Sequence, residues 1–128
     1  MVKLLIVDDS NIMRKAIEKY LRRFSFQLVG TARNGREALE LFRRHYPEFV
    51  TLDITMPELD GLACLTEMRA ERPETRILVI SALSDPLTGL EAVKRGASGF
   101  LSKPFTADVL AAEVEQILGL DAEHGGAQ

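Results

Sequence analysis

Apolar residues along this chain follow two spacings, and the two alternate. Leu4-Leu5-Ile6-Val7, Phe49-Val50-Thr51-Leu52 and Ile77-Leu78-Val79-Ile80 are unbroken apolar or β-branched runs of strand length. Continuous runs of this kind suit strands covered on both faces. Gln27-Leu28-Val29-Gly30-Thr31-Ala32 and Gly99-Phe100-Leu101 are weaker runs that suit strands nearer the edges of a sheet. The stretches between them have helical spacing. Met13, Ala16, Ile17, Tyr20, Leu21 and Phe24 share one face of a helix, with Arg14, Lys15, Glu18, Lys19, Arg22 and Arg23 on the other. Asn34-Gly35-Arg36-Glu37 resembles a capping box ahead of Ala38, Leu41 and Phe42. Gly61 opens a third helix carrying Leu62, Leu65 and Met68 and closing before Pro73. Asp85-Pro86, a cap followed by proline at the first helical position, opens a fourth through Leu87, Leu90 and Val93 that stops near Gly96. Thr106 caps a last helix with Leu110, Val114, Ile117 and Leu118, and Gly119 stands where that helix should end.

Five repeats of strand then helix imply an α/β fold with a mostly parallel sheet and helices on both faces. Right-handed crossovers and short connections favour a doubly wound sheet. Residues 1–120 then form one domain, and Asp121 to Gln128 read as a frayed tail or the start of a linker.

Composition narrows the class without changing the fold. The chain has 128 residues, 46% of them hydrophobic, and 16 Lys+Arg against 19 Asp+Glu give a net charge of -3. A domain of this size buries about two-thirds of its unfolded surface and needs no disulfide or structural metal to hold together. Cys64 is the sole cysteine, so no intrachain disulfide can form, which fits a reducing cytoplasm. The acidic balance argues against direct nucleic-acid binding or an anionic membrane as partner. No apolar run approaches a membrane span, and Asp8-Asp9 ends the first apolar run too early for a signal peptide.

In an open parallel sheet, ligands bind beyond the carboxyl ends of the strands near the point where the winding reverses. Strand ends therefore give the candidate chemistry. The first ends in Asp8-Asp9, the third in Asp53 and the fourth in Ser81, and Lys103 follows the fifth. Carboxylates gathered there repel one another by about 4 kcal/mol per pair at about 4 Å and an effective dielectric near ~20. Lys103 can neutralise one charge, and a hard divalent cation most of the rest. Magnesium suits a site with only oxygen ligands. Zinc does not, since His45, His124 and Cys64 lack ligand spacing. A carboxylate beside magnesium, a lysine and a hydroxyl is equipped to accept a phosphoryl group, and Asp53 is the best placed to do so.

With these motifs in this order, the chain resembles the receiver domains of two-component response regulators. Together with its length, the Thr51-Leu-Asp-Ile-Thr-Met-Pro-Glu-Leu-Asp-Gly61 stretch resembles most the single-domain chemotaxis type, and the likeness runs from about Lys3 to Leu118. The resemblance implies a flavodoxin-like sheet of order 2-1-3-4-5 and a cis Lys103-Pro104 bond. It makes Asp53 the phospho-acceptor and Asp8 and Asp9 the acidic pair that holds Mg2+, Asp9 in direct contact. Thr55 stands where a backbone carbonyl completes the metal site, Ser81 where a hydroxyl bonds the phosphoryl group, and Lys103 where a lysine pairs with it. Phe100 occupies the position of a switching aromatic. Thr55 and Leu83, two residues beyond Asp53 and Ser81, flank the route of the hydrolytic water and would tune the phosphoryl lifetime.

The implied partners are a sensor histidine kinase or phosphotransfer protein and a protein target, such as a flagellar motor component, that binds the phosphorylated form. The implied protein is a cytoplasmic monomer whose only enzymatic acts are its own phosphorylation and dephosphorylation. The basic residues of the first helix are either a solvated face or a docking surface for the phosphodonor. Since five strand-helix units use nearly all 128 residues, the expectation is a stand-alone signalling protein. A receiver cut from a larger regulator with a DNA-binding or enzymatic output domain is the alternative. A flavodoxin-like electron carrier would need a Ser/Thr/Gly-rich phosphate loop where this chain has Asp8-Asp9-Ser10-Asn11. A magnesium-dependent phosphohydrolase would use Asp-x-Asp after the first strand and a cap insertion.

Overall fold

Alternation along each strand sends neighbouring side chains to opposite faces of the sheet, and this chain has an apolar layer ready for each face. The structure is a computed structural model and describes residues 1–55, 61–82 and 86–119. Its strands are β1 (Val2–Val7), β2 (Phe26–Ala32), β3 (Phe49–Asp53), β4 (Arg76–Ser81) and β5 (Gly99–Ser102). Its helices are α1 (Asn11–Tyr20), α2 (Gly35–His45), α3 (Gly61–Glu71), α4 (Pro86–Lys94) and α5 (Ala107–Leu118). All strand pairs are parallel, in the order β2-β1-β3-β4-β5. The two weaker runs of the sequence, β2 and β5, are the two edges. Leu5, Val7, Val50, Leu52, Ile77 and Val79 pack with Phe42 of α2 and Leu65 and Met68 of α3. Leu4, Ile6, Phe49, Leu78 and Ile80 pack on the other face with Ile17 of α1 and Leu110 and Val114 of α5. The winding reverses between β1 and β3, which brings their carboxyl ends side by side.

Local chemistry fixes the helix ends. Ser10 Oγ accepts from the Met13 amide (3.2 Å), Asn34 Oδ1 from Glu37 (2.9 Å) and Thr106 Oγ1 from Val109 (3.2 Å), each satisfying a donor that the first helical turn leaves open. The Asn34 cap differs from a standard capping box. Glu37 reaches one residue further back, taking the Arg33 amide at 3.1 Å and its Nε at 3.0 Å. Helix α5 ends on Gly119 at φ 75°, and the turn after α4 passes through Gly96 at φ 103°, left-handed geometry that glycine adopts without a Cβ penalty. The first helical pattern extends to Phe24, but α1 stops at Tyr20 and its last turn tightens into a 3-10 turn, Leu21–Arg23.

The fourth helix forms as its spacing predicts, yet its large apolar residues do not face the sheet. Leu87, Leu90 and Val93 are 75%, 52% and 57% exposed, while Ala92 is buried. Small residues make the contact: Ala92 enters the core and Gly89 lies against the Phe100 ring. The Asp85 cap, Leu83, the 56–60 part of the Thr51 to Gly61 stretch and the 121–128 tail lie outside the described residues.

Candidate functional site

Each strand that ends at the winding reversal delivers a polar side chain. The Asp8 amide donates to the Ala32 carbonyl (2.9 Å), carrying the β1–β2 ladder one residue past the strand. Asp53 closes β3 opposite Ile80, and Ser81 is the next residue of β4. Asp8, Asp53 and Ser81 are all buried, while Asp9 is exposed. Carboxylate oxygens of Asp8, Asp9 and Asp53 lie within 4.8 Å of one another.

Lys103 joins two of them. Its Nζ donates to Asp8 Oδ2 at 2.9 Å and to Asp53 Oδ2 at 3.2 Å. The lysine is held from behind, since its amide donates to the Ser81 carbonyl at 2.8 Å; the bond that follows it, to Pro104, is cis. Asp53 Oδ1 accepts from the Thr55 amide (2.8 Å) and from the Thr55 hydroxyl, and Asp8 Oδ1 accepts from the Ser10 amide (2.9 Å). The two buried carboxylates are thus oriented by fixed donors, whereas Asp9 takes no hydrogen bond among the described residues and faces solvent.

Burial pushes the Asp8 carboxyl above its ordinary value; the Ser10 amide and Lys103 offset part of that and the Asp53 charge adds to it. Burial would lower the Lys103 ammonium, but its hydrogen bond to Asp8 and the charges of Asp53 and Asp8 outweigh it and hold the lysine above its usual range. Lys103 therefore stays charged at neutral pH, and one cation faces three carboxylates. The uncompensated charge and the all-oxygen donor set fit a hard divalent ion. Asp9 offers such an ion a solvent-facing oxygen, and Asp53 one at the strand end, so these are the residues that could hold it.

The start of α3 frames the site from behind. A Cβ on Gly61 would come 2.4 Å from the Ile54 Cα and 3.0 Å from the Asp53 carbonyl oxygen. Only a glycine lets the helix start so close to the backbone after Asp53. Phe100 is half-buried on β5 against Gly89 of α4. The structure thus brings Asp8, Asp9, Asp53, Thr55 and Lys103 together, sets Ser81 at the adjoining strand end and leaves Phe100 at the α4–β5 contact. It also turns in one residue that the sequence reading assigned to the basic helix face. Arg14 Nη1 donates to the Asp8 carbonyl at 2.6 Å and Nη2 to Asn11 Oδ1 at 3.3 Å. Its position one turn into α1 was the only signal, and its neighbours Lys15 and Lys19 share that face.

The response regulator receiver domain family model matches residues 4–115. The chain belongs to this family. The receiver domain is 43% identical over 108 residues to the chemotaxis protein CheY of Listeria monocytogenes, covering 84% of this chain and 91% of the relative. Its fold superposes with a TM-score of 0.87 and 32% identity on a structure of a CheX-CheY complex from Borrelia burgdorferi with beryllofluoride and magnesium, over 91% of this chain and 89% of that one. A response regulator from Burkholderia pseudomallei, solved with a phosphorylated aspartic acid and a calcium ion, gives 0.81 at 27% identity, over 97% and 73%. This receiver is a phosphorylation-dependent signalling protein, and its likeness to CheY spans most of the chain.

Proposed function

We propose that Asp53 is the phospho-acceptor and that the receiver works as a stand-alone chemotaxis-type regulator. The observation that carries this is the pairing of Lys103 Nζ with both Asp8 and Asp53, beside a third carboxylate within 4.8 Å. The donor is a phosphohistidine on a sensor histidine kinase or phosphotransfer protein. Asp53 attacks phosphorus in line; a new P–O bond forms to its carboxylate as the P–N bond breaks and the histidine leaves neutral after taking a proton. Asp8, Asp9, Asp53 and the Thr55 carbonyl would hold Mg2+ there, and the ion would supply charge neutralisation for the phosphoryl oxygens.

Lys103 neutralises a phosphoryl oxygen as its contact to Asp53 is exchanged for one to the new group. The Ser81 hydroxyl bonds a second oxygen, and the space it leaves admits the Phe100 ring. The result is a shift in a pre-existing equilibrium that remodels the α4–β5 surface; a tenfold change in population needs about 1.4 kcal/mol. Water later hydrolyses the acyl phosphate, and the identities of Thr55 and Leu83, two residues beyond Asp53 and Ser81, set the lifetime. The chain's own chemistry is limited to this cycle in the cytoplasm. Its output is binding a protein target of the flagellar-motor class, for which the match along 91% of the Listeria chemotaxis relative speaks.

The test is incubation with a small acyl phosphate and MgCl2, followed by borohydride reduction and peptide mapping. The expected modification is single, requires magnesium and lies on Asp53. Modification elsewhere, or unchanged uptake by Asp53→Asn, overturns the assignment.

A further inference from the structure

The turn that carries the acidic pair is fastened on both sides of the residue that faces solvent. Asp8 is held through its amide by Ala32, through Oδ1 by the Ser10 amide and through Oδ2 by Lys103. Ser10 accepts the Met13 amide on its hydroxyl and the Arg14 amide on its carbonyl (2.9 Å). Asp9 lies between these anchors with its carboxylate in solvent, so only the backbone of the turn aims it.

Two ends of that turn are joined by one side chain. The half-buried Arg14 places Nη1 2.6 Å from the Asp8 carbonyl oxygen and Nη2 3.3 Å from Asn11 Oδ1. A charge-assisted bond to a carbonyl is stronger than a neutral one, and the planar guanidinium fixes both contacts in one geometry. The strap therefore spans Asp8 to Asn11, with Asp9 inside it. Without a cation the three carboxylates repel, and the strap opposes an opening of the turn that would relieve them.

We propose that Arg14 is a positioning residue for the metal: it acts through the backbone of the Asp8–Asn11 turn to hold Asp9 in its ligating direction. This rests on the reading of Asp8, Asp9 and Asp53 as the Mg2+ site. The strap makes a prediction opposite in sign to that of simple charge. Deleting a cation beside an acidic cluster should tighten Mg2+ binding through electrostatics alone, whereas deleting a strap should weaken it. Removing groups that orient a metal's ligands commonly costs about 10–100-fold in affinity.

The experiment is titration of the unphosphorylated full chain with MgCl2 at fixed ionic strength, by calorimetry or by amide NMR shifts. Wild type, Arg14→Met, Arg14→Lys, Asn11→Ala and Asp9→Asn are compared, each with its metal-free thermal midpoint. Arg14→Met should bind Mg2+ about tenfold more weakly. Arg14→Lys should weaken it too, because an ammonium keeps the charge but not the planar fork. Asn11→Ala, which cuts one arm and leaves the arginine in place, should give a smaller loss and keeps the test valid if an Arg14 variant folds poorly. Affinity in Arg14→Met that is unchanged or tighter, with Asp9→Asn impaired, overturns the role of Arg14 and leaves the metal site standing. Failure of wild type to bind Mg2+, or full binding by Asp9→Asn, overturns the site reading itself.

Discussion

Phe49 and Asp53 occupy opposite ends of β3, on the same face by strand alternation, and are equally buried at 0% and 1% exposed. Their surroundings could hardly differ more. The Phe49 ring lies 5.5 Å from that of Phe26, which lies 5.6 Å from Phe24, within the α1–α5 core. Asp53 ends among two other carboxylates, a lysine and a threonine. Burying a phenyl group contributes about 1.5–3 kcal/mol, whereas a buried carboxylate costs several kcal/mol before its partners offset it. Between them, Thr51 has a buried hydroxyl without a hydrogen-bond partner among the described residues. Along five residues one strand passes from stabilising burial to burial that only chemistry explains. The amino half of the sheet supplies the stability that lets the carboxyl half hold charge out of water.

The largest effect should come from the stabilising end. Phe49→Ala is expected to lower unfolding free energy by about 3–5 kcal/mol in denaturant titration, with little change in Mg2+ affinity among molecules that remain folded. A cost below about 1 kcal/mol would mean that the aromatic cluster does not anchor the strand. Midway along it, Thr51→Val keeps the shape and removes the orphan hydroxyl, and should stabilise the protein by about 1 kcal/mol. Destabilisation by a similar amount would show that the hydroxyl has a partner in solution.

The same contrast explains what could be read from sequence. The apolar runs gave the interior strands because continuous burial leaves no choice of residue type, and polar residues at the ends of those runs marked Asp8, Asp9, Asp53 and Ser81. Strand order came with the family resemblance, and the gathering of Lys103 with the strand-end carboxylates follows from the doubly wound topology. Three features stayed hidden because each depends on a distance that spacing does not encode. Arg14 looks like any residue of a basic helix face until its 2.6 Å bond to the Asp8 carbonyl is seen. Gly61 was legible as a helix start, but not as the only residue that fits 2.4 Å from Ile54 Cα. Leu87, Leu90 and Val93 have core spacing yet face outward, because Gly89 and Ala92 allow close packing that large residues on that side would prevent.

The central claim is that charge is buried at the carboxyl end of β3 to receive a phosphoryl group at Asp53. The most direct test is thermal unfolding of wild type and Asp53→Asn, metal-free and then with MgCl2 and beryllofluoride, which mimics a bound phosphoryl group. Metal-free, the asparagine variant should match or exceed wild type, since it removes one of three crowded charges. With MgCl2 already saturating, beryllofluoride at about 100 times its dissociation constant should add about 2.7 kcal/mol to wild type, while Asp53→Asn gains none from beryllofluoride. Equal gains in the two proteins, or a metal-free variant clearly less stable than wild type, would contradict the account.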